Sequence, residues 1–343
     1  MIDRINISIP DAKKLVQAAL TAADLPADVS MSMSMSMSMS VSAAVVAAEA
    51  EGQVGHGFSR LGDYVAQVRS GKINSTAKIV IRNRGPASLL IDADQGFAFP
   101  ALDAALAAGI ALANEMGIAI MAVANSHHCG ALSVQVEKMA NAGLIAIMVA
   151  NAPKAIAPWG AKEPLFGTNP IAFATPQVDG APLVIDLSLS KVARGKVMNA
   201  YKMNQPIPLG WALDVQGEPT IDPKAALAGT MVPIGEAKGT ALALMVEILA
   251  AAFTGSAMSH QAGSFFEAEG NAPRVGQTLI AIRPDANSDF LPRVSALLAQ
   301  IESMDGARLP GTRRQHAIRT AESEGLSVPA HYIQQAKALA NST

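Results

Sequence analysis

Apolar and polar residues follow two different periods along this chain, and each change of period marks a predicted element. IAIMAVA (118–124) and LIAIMVA (144–150) are short and continuously apolar, which is typical of strands buried on both faces. Residues 98–117 and 131–142 instead have apolar positions at helical spacing. The pattern therefore predicts strands that alternate with helices.

The alternation extends over most of the chain. KIVIRNRGPASLLIDAD (78–94) predicts a hairpin around Arg-Gly-Pro. The remaining predicted strands are 171–175, 183–187 and 278–284, and the remaining predicted helices are 41–51, 58–68, 191–203, 238–254, 288–304 and 329–340. We therefore expect an α/β fold in which residues 76–299 form a mixed-sheet domain. Residues 1–75 and 300–343 are expected to form a discontinuous helical domain for substrate and dimer contacts.

Residues 31–40 read MSMSMSMSMS. Strict alternation is the strand period, yet the Ala-rich run that follows strongly favours helix. We place this tract near the start of a helix and assign it no function.

Composition narrows the class of protein. Half of the 343 residues are hydrophobic, 16% are charged and the net charge is -2, so electrostatics give no reason to expect nucleic acid or an anionic membrane as a partner. The single cysteine cannot form an internal disulfide, which fits a reducing compartment. The apolar run 239–253 contains Glu247 and is shorter than the roughly 20 residues of a bilayer span. We expect a cytoplasmic protein without a membrane segment.

The stretch NSHHCG (125–130) holds two of the six histidines and the only cysteine. A zinc site needs three or four ligands, and adjacent histidines diverge at a strand end, so we predict no metal. A Cys129 nucleophile would need a lowered pKa, whereas a buried inert cysteine is the commoner case. Ligands bind beyond the carboxyl ends of strands in α/β sheets, where histidine is a natural proton carrier. A catalytic or substrate-orienting histidine is therefore favoured over structural packing.

Other stretches combine groups suited to a small anionic ligand. In GHGFSR, His56 and Arg60 are one turn apart and form a proton-donating, carboxylate-binding pair, although Arg60 could equally be a solvated residue at a helix start. Thr168 and Asn169 in GTNP suit a pocket or a turn.

Candidate phosphate contacts occur at predicted helix starts and in one basic turn. Ser188, Ser190 and Lys191 follow a strand, but N-capping explains these serines as well. Lys238 begins a later helix, and RLPGTRR concentrates Arg308, Arg313 and Arg314. Neither GxGxxG nor a Walker A sequence occurs, so a nicotinamide enzyme here would not contain a Rossmann domain.

The motifs GHGFSRLGDY, NSHHCGAL, APWGAKEPLFGTNPIAFATP, VIDLSLSKVARGKV, GEAKGTALALMVEIL and RLPGTRR, in this order, resemble the type 2 malate/L-lactate dehydrogenase family. This family includes sulfolactate and ureidoglycolate dehydrogenases and cyclic imino acid reductases. The resemblance implies a homodimeric oxidoreductase with a non-Rossmann fold, active sites shared between subunits, and NAD or NADP as cofactor. It implies hydride transfer between the nicotinamide and C2 of a 2-oxo acid or cyclic imine.

The resemblance also assigns roles to individual positions. His128 would be the acid/base, with His56 as the competing candidate. Arg60 would bind the substrate carboxylate, with Tyr64 and Thr168 nearby. The residues that fall at cofactor-binding positions of the family are His127, Cys129, Gly130, Ser190, Lys191, Lys238, Arg308, Arg313 and Arg314.

Two departures from the family pattern bear on the substrate. The imino acid reductases have a serine before the first histidine and an aspartate in the ARGxV helix, where this chain has Gly55 and Lys196. We therefore expect 2-oxo acid chemistry, with an NADPH-dependent piperideine-2-carboxylate/pyrroline-2-carboxylate reductase as the alternative and a relative that has lost catalysis as a third reading. Arg194 and Lys196 add cations, so we expect a dianionic substrate such as 3-sulfolactate or malate.

Overall fold

The structure is a computed structural model that describes residues 3–25, 37–285 and 287–342. Residues 31–36 of the Met-Ser tract lie outside the described residues. The last four residues of the tract, 37–40, belong to a helix.

The described strands are β1 (Arg4–Ile7), β2 (Val80–Gly85), β3 (Ser88–Asp92), β4 (Ile118–Ser126), β5 (Ile145–Ala150), β6 (Ile171–Thr175), β7 (Leu183–Leu187), β8 (Ala212–Leu213), β9 (Pro219–Thr220), β10 (Thr230–Met231), β11 (Val275–Ile282) and β12 (Leu326–Pro329). The described α-helices are α1 (Ile9–Thr21), α2 (Met37–Ala50), α3 (Leu61–Arg69), α4 (Ala98–Met116), α5 (Ser133–Asn141), α6 (Arg194–Lys202), α7 (Pro223–Ala228), α8 (Ala237–Glu247), α9 (Phe290–Glu302), α10 (Thr312–Glu324) and α11 (Ala330–Ala340). Short 3₁₀ turns at Val54–His56 and Phe58–Arg60 precede α3, and a π-helical turn at Ile248–Ala252 continues α8.

Seven strands form the central sheet in the order β2-β3-β4-β11-β5-β6-β7. Only β3 and β4 pair in parallel, and every other neighbouring pair is antiparallel. This order differs from the parallel sheet of a Rossmann domain. The predicted mixed-sheet, non-Rossmann α/β fold is confirmed.

The middle of the sheet is apolar because β4, β11 and β5 are covered on both faces. Leu279 and Ala281 of β11 are fully buried, as are Met121 and Val123 of β4. Helix α4 packs against β4 at Gly109, where an added Cβ would lie 1.9 Å from the Met121 sulfur. A side chain at that position would separate the helix from the sheet, so close helix–sheet contact depends on this glycine.

A second apolar cluster contains residues from both ends of the chain. Val16 and Leu20 of α1 pack with Tyr64 of α3 and with Ile333 of α11. Strand β1 pairs with β12, which ties the N-terminal segment to the C-terminal one. The domain division at 75/76 and 299/300 stays a prediction, but these contacts give both termini a common core.

Several local features differ from the sequence prediction. Helix α10 was not predicted after RLPGTRR, and the β1–β12 pair was not predicted at all. The helix predicted over 238–254 is α8 followed by the π-helical turn.

Candidate active site

Four strands of the central sheet point in one direction, so their carboxyl ends lie at one edge. Strands β3 and β4 are parallel, β4 and β5 are both antiparallel to β11, and β7 is related to β5 through β6. The segments after β4, β5 and β7 line a cleft of about 530 Å³ at this edge. That volume is in the range of small-molecule sites, and the position is where α/β sheets bind ligands.

The cleft brings together side chains from distant parts of the sequence. Its walls come from the turns before α3, from the segments after the three strands, from the start of α6 and from the segment 262–267. The predicted site residues that line it are His56, Arg60, His128, Cys129, Gly130 and Thr168.

Two histidines and a tyrosine form a hydrogen-bonded chain at this cleft. Nδ1 of His56 lies 3.2 Å from Nε2 of His128, and the two rings stack with their centroids 5.1 Å apart. The Tyr64 hydroxyl lies 2.6 Å from Nδ1 of His128. Both ring nitrogens of His128 are therefore engaged by protein groups, whereas Nε2 of His56 has no hydrogen-bond partner among the described residues.

The direction of this chain follows from its neighbours. The positive charge of Arg60 near Tyr64 favours the arrangement in which the Tyr64 hydroxyl donates its proton to Nδ1 of His128. His128 then carries its proton on Nε2 and donates it to Nδ1 of His56. In that arrangement the His56 Nε2–H is the remaining donor, on a ring that lines the cleft.

Burial keeps the chain uncharged. Burial and the nearby Arg60 lower the pKa of His56 to about 4, and the same two causes hold the pKa of His128 well below its usual value. Burial raises the pKa of Tyr64 above its usual value. All three groups are neutral near pH 7, so the chain can transfer a proton without holding a permanent charge.

Arg60 is the nearest fixed cation to this chain, and it is largely buried. Its Nη1 donates to Asp63 at 3.2 Å, and its guanidinium carbon lies 4.4 Å from the ring centroid of Phe266. The buried Nε of Arg60 has no hydrogen-bond partner within the described part of the chain. A buried donor without a partner is costly, so a ligand carboxylate would complete the hydrogen bonding of this guanidinium.

A segment that the sequence analysis missed covers the histidines. Phe265 packs against His128 at 5.0 Å between ring centroids. Gln67 on α3 donates to the carbonyl of Phe265 at 3.0 Å, and Lys72 donates to the carbonyl of Glu267 at 2.8 Å. Helix α3 therefore carries Tyr64 and also fixes the segment that excludes water from it. The glycine-rich composition around 263–270 indicated a loop but not this contact.

His127 lies behind the cleft and not in its wall. Its ring is enclosed by Tyr64, Phe97 and Phe265, and neither of its ring nitrogens has a hydrogen-bond partner in the described structure. Burial, followed by the charge of Arg60, lowers the pKa of His127 to about 3. His127 therefore packs among aromatic rings, and its predicted cofactor contact stays a prediction.

This buried neutral imidazole makes stability depend on pH. In the unfolded chain His127 takes up a proton below about pH 6.5, whereas the folded protein resists protonation until about pH 3. Stability contributed by the neutral ring is thus complete above pH 6.5 and is lost as the pH falls toward 3. The free energy of unfolding should fall in both proteins when the pH is lowered from 7.5 to 5. We expect this fall to be about 1–2 kcal/mol smaller in His127→Leu than in wild type.

Urea unfolding at the two pH values measures this difference. Since His56 and His128 are present in both proteins, their contributions largely cancel in the comparison. Equal losses in wild type and His127→Leu would contradict the assigned protonation state of His127.

Cys129 is a wall residue with an inert thiol. Burial raises its pKa to about 12, with a further contribution from the carboxylate of Asp186. A thiol with that pKa stays protonated and is a poor nucleophile, which leaves packing as its role. Gly130 has a φ of +69°, and a Cβ there would lie 2.8 Å from the Phe99 ring, so glycine is needed for this turn.

Asp186 lines the floor of the cleft and was not predicted. Its carboxylate accepts hydrogen bonds from the backbone N–H of Ser133 at 2.8 Å and from Gln53 at 3.4 Å. Burial raises its pKa. The only sequence signal was its position at the end of the VIDLS strand.

The other predicted cofactor residues lie apart from the described cleft lining. Ser190 is buried and donates to the carbonyl of Val192 at 2.7 Å, next to the lining residue Ser188. Lys191 and Lys238 are exposed. Their cofactor contacts stay predictions.

Within RLPGTRR, Arg308 and Arg313 are exposed and have no ion pair among the described residues, whereas Arg314 is buried. Its Nη2 contacts Glu51 at 2.6 Å and Glu137 at 2.5 Å. Two carboxylates therefore already bind the guanidinium of Arg314, and its predicted cofactor contact stays a prediction.

Arg194 and Lys196, the two cations expected to favour a dianionic substrate, differ in position. Arg194 lines the cleft but donates to the carbonyls of Lys154 at 3.0 Å and Leu227 at 3.2 Å. Lys196 is exposed and lies outside the cleft lining. Of these two cations, only Arg194 therefore lines the cleft.

The described residues contain neither a metal-binding cluster nor a membrane-spanning helix. No group of three or more His, Cys, Asp or Glu side chains among them is arranged to hold a metal ion. In the same residues no helix is both long and apolar enough to cross a bilayer.

Comparison with known proteins gives the family. A family profile described as malate/L-lactate dehydrogenase matches residues 7–337, nearly the whole chain. The chain belongs to this family. The resemblance seen in the motifs is therefore confirmed, and so is the prediction of a dehydrogenase.

The relatives of this dehydrogenase include hydroxy acid dehydrogenases and imino acid reductases. It is 48% identical over 338 residues to the (2R)-3-sulfolactate dehydrogenase (NADP(+)) of Chromohalobacter salexigens, covering 97% of this chain and 98% of that protein. It is 39% identical over 295 residues to the Δ1-pyrroline-2-carboxylate/Δ1-piperideine-2-carboxylate reductase of Pseudomonas putida, covering 85% and 86%. The crystal structure of Δ1-piperideine-2-carboxylate reductase from Pseudomonas syringae superimposes with a TM-score of 0.89 at 34% identity, covering 98% and 99% of the two chains.

Proposed function

We propose that this dehydrogenase interconverts a dianionic 2-hydroxy acid and its 2-oxo acid, with 3-sulfolactate as the first candidate and NADP as the cofactor. The observation that carries the proposal is the arrangement of Arg60 beside the His56–His128–Tyr64 chain in one cleft. A carboxylate on Arg60 would hold the neighbouring C2 oxygen close to His56. The similarity to the sulfolactate dehydrogenase of C. salexigens supports the choice of substrate.

In this proposal His56, and not His128, contacts the substrate. During reduction the Nε2–H of His56 would donate to the C2 carbonyl oxygen, which becomes the hydroxyl. His128 would replace that proton at Nδ1 of His56 and would take the Tyr64 hydroxyl proton at its own Nδ1. The Tyr64 phenolate, near Arg60, would regain a proton from solvent before the next turnover. Oxidation uses the opposite arrangement, in which unprotonated Nε2 of His56 accepts the hydroxyl proton. When bound, the nicotinamide cofactor would supply or accept the hydride.

Residues of the cleft wall and two exposed arginines suit a nicotinamide cofactor. The cleft wall at Cys129 and Gly130 allows close approach because Gly130 has no side chain and the Cys129 thiol is uncharged. Ser188 adds a hydroxyl at the same cleft. Arg308 and Arg313 carry exposed, unpaired guanidinium groups of the kind that bind a phosphate, which favours NADP over NAD.

The alternative is reduction of a cyclic imino acid. The P. putida relative supports it, but Gly55 and Lys196 occupy the positions at which those reductases have serine and aspartate. Without these partners His56 obtains its hydrogen-bond support from His128 alone. That arrangement favours the hydroxy acid.

Isotope tracing tests the proposed function. The enzyme is incubated with sulfopyruvate and NADPH deuterated on either face of C4, and the product is analysed by mass spectrometry. We expect one deuterated form of NADPH to give 3-sulfolactate with a single deuterium at C2. Product without deuterium from either form, or no product, would exclude direct hydride transfer to this substrate.

We further propose that the protein is a homodimer whose active sites draw on both subunits, in the cytoplasm. An exposed apolar face on α8 and the turn after it supports dimerisation, with Leu244 and Ile248 about half exposed. We expect sedimentation equilibrium to give twice the 35.4 kDa chain mass. Substitution of both residues by lysine is expected to give monomers, and a wild-type monomer at micromolar concentration would contradict the proposal.

A further inference from the structure

Five charged side chains line the cleft. The cations are Arg60, Lys154 and Arg194, and the acids are Asp186 and Glu267. A 2-hydroxy acid with a second anionic group needs two cationic contacts, because an anion removed from water without a partner is strongly destabilised. Arg60 supplies the first contact, beside the histidines.

Arg194 is poorly placed for the second contact because its guanidinium is already used. Nη1 and Nη2 each donate to a backbone carbonyl, one of Lys154 and one of Leu227. These bonds make Arg194 a structural residue that fixes the backbone at Lys154.

The backbone of Lys154 is held from both sides. Its N–H donates to the carbonyl of Ser259 at 3.0 Å, and its carbonyl accepts from Arg194 at 3.0 Å. Its ammonium, in contrast, has no hydrogen bond or ion pair with any described residue. Lys154 lines the cleft, and an exposed side chain on a fixed backbone is suited to ligand binding, since little more than the side chain has to be ordered.

Neither acidic residue of the cleft pairs with the ammonium of Lys154. Asp186 accepts hydrogen bonds from Ser133 and Gln53, and burial raises the pKa of its carboxyl group. No ion pair joins Glu267 to Lys154.

We propose that Lys154 determines specificity by binding the second anionic group of the substrate, a sulfonate or carboxylate on C3. The inference rests on the proposed function and names the residue by which the enzyme would distinguish dianionic from monoanionic 2-oxo acids. Arg60 would bind the C1 carboxylate that both classes share, so Lys154 would affect only the first class.

Two substitutions and a matched control test the inference. Lys154→Met removes the charge and keeps an unbranched stem, Lys154→Arg keeps the charge, and Lys196→Met removes an exposed lysine outside the cleft lining. Initial rates with NADPH are measured for sulfopyruvate, oxaloacetate and pyruvate. Binding of 3-sulfopropionate, which has both anionic groups but no C2 oxygen, is measured by calorimetry and gives a readout independent of turnover.

For Lys154→Met we expect kcat/KM for sulfopyruvate and oxaloacetate to fall about 10–100-fold, as for loss of one hydrogen bond to a charged group, while pyruvate changes less than about 3-fold. Affinity for 3-sulfopropionate should fall by a similar factor. Lys154→Arg should restore most of both losses, and Lys196→Met should match wild type.

The outcomes separate this inference from the proposed function. If wild type prefers sulfopyruvate over pyruvate and Lys154→Met keeps that preference, Lys154 is not the specificity residue and the proposed function stands. Equal losses for all three substrates would also overturn the inference, since they indicate a general structural effect. If wild type shows no preference for dianions, the dianionic substrate and the role of Lys154 fall together.

Discussion

Replacement of His56 by alanine is expected to lower kcat for 2-oxo acid reduction by about 10²–10⁴-fold, the usual contribution of a general acid. His56 carries the ring nitrogen that no described residue engages, whereas both nitrogens of His128 are bound, to His56 and to Tyr64. The expected change in KM is small, since Arg60 still binds the carboxylate. Steady-state rates with saturating NADPH measure both constants.

Substitutions of Tyr64 and His128 show how much each member of the hydrogen-bonded chain contributes to the rate. Tyr64→Phe keeps the aromatic packing and removes only the donor to His128, so we expect a loss of roughly 3–10-fold. His316→Ala, at an exposed histidine of α10 outside the cleft lining, is the control and should match wild type. If His56→Ala stays within a few-fold of wild type while His128→Ala loses activity, the two histidines have exchanged roles and His128 is the direct proton donor.

Replacement of Arg60 by methionine is expected to lower kcat/KM for every 2-oxo acid by about 30–1000-fold. The guanidinium is buried, carries an unpartnered Nε and stacks on Phe266, so its loss removes a charge-assisted contact in a site with little water. Arg60→Lys keeps the charge but loses the planar fork, so it should recover only part of the activity. Arg69→Met, at the exposed arginine that ends helix α3, should leave the rates unchanged.

The Arg60 variant also has a pH signature. Arg60 is one cause of the low pKa of His56, about 4, after burial itself. Hydroxy acid oxidation requires the neutral ring, so the wild-type rate should fall only as the pH approaches 4. Removing the cation raises the pKa of His56, and the acid limb of the kcat/KM profile should move to higher pH. An unchanged limb would mean that another group titrates in it.

Sequence patterns were sufficient for the sheet but not for its strand order. The apolar runs of β4 and β5 identify them as buried strands, yet nothing in either run indicates that β11, more than 120 residues later, pairs between them. Helix α10 was missed because TRRQHAIRTAESE is mostly polar and its burial depends on Arg314 and Ala321. The β1–β12 pair joins short segments from the two ends of the chain, and such pairing has no local signal.

The sequence also predicted the residues of the candidate site better than their contacts. The residue types in GHGFSR and NSHHCG pointed to proton transfer and carboxylate binding, and the cleft contains His56, Arg60 and His128. Their order in a chain depends on which nitrogens meet, a contact across 72 residues that spacing cannot encode. Arg314 shows a second limit, because the basic motif around it gives no sign of its carboxylate partners, Glu51 and Glu137.

We propose that the cleft reduces a dianionic 2-oxo acid and not a cyclic imine. The most direct test is the ratio of kcat/KM for sulfopyruvate to kcat/KM for piperideine-2-carboxylate, measured on one enzyme preparation with NADPH. We predict a ratio well above one, because Arg60 and Lys154 would bind both anionic groups of sulfopyruvate while His56 lacks the serine and aspartate of the imine reductases. A ratio below one would contradict this account and identify the protein as a cyclic imino acid reductase.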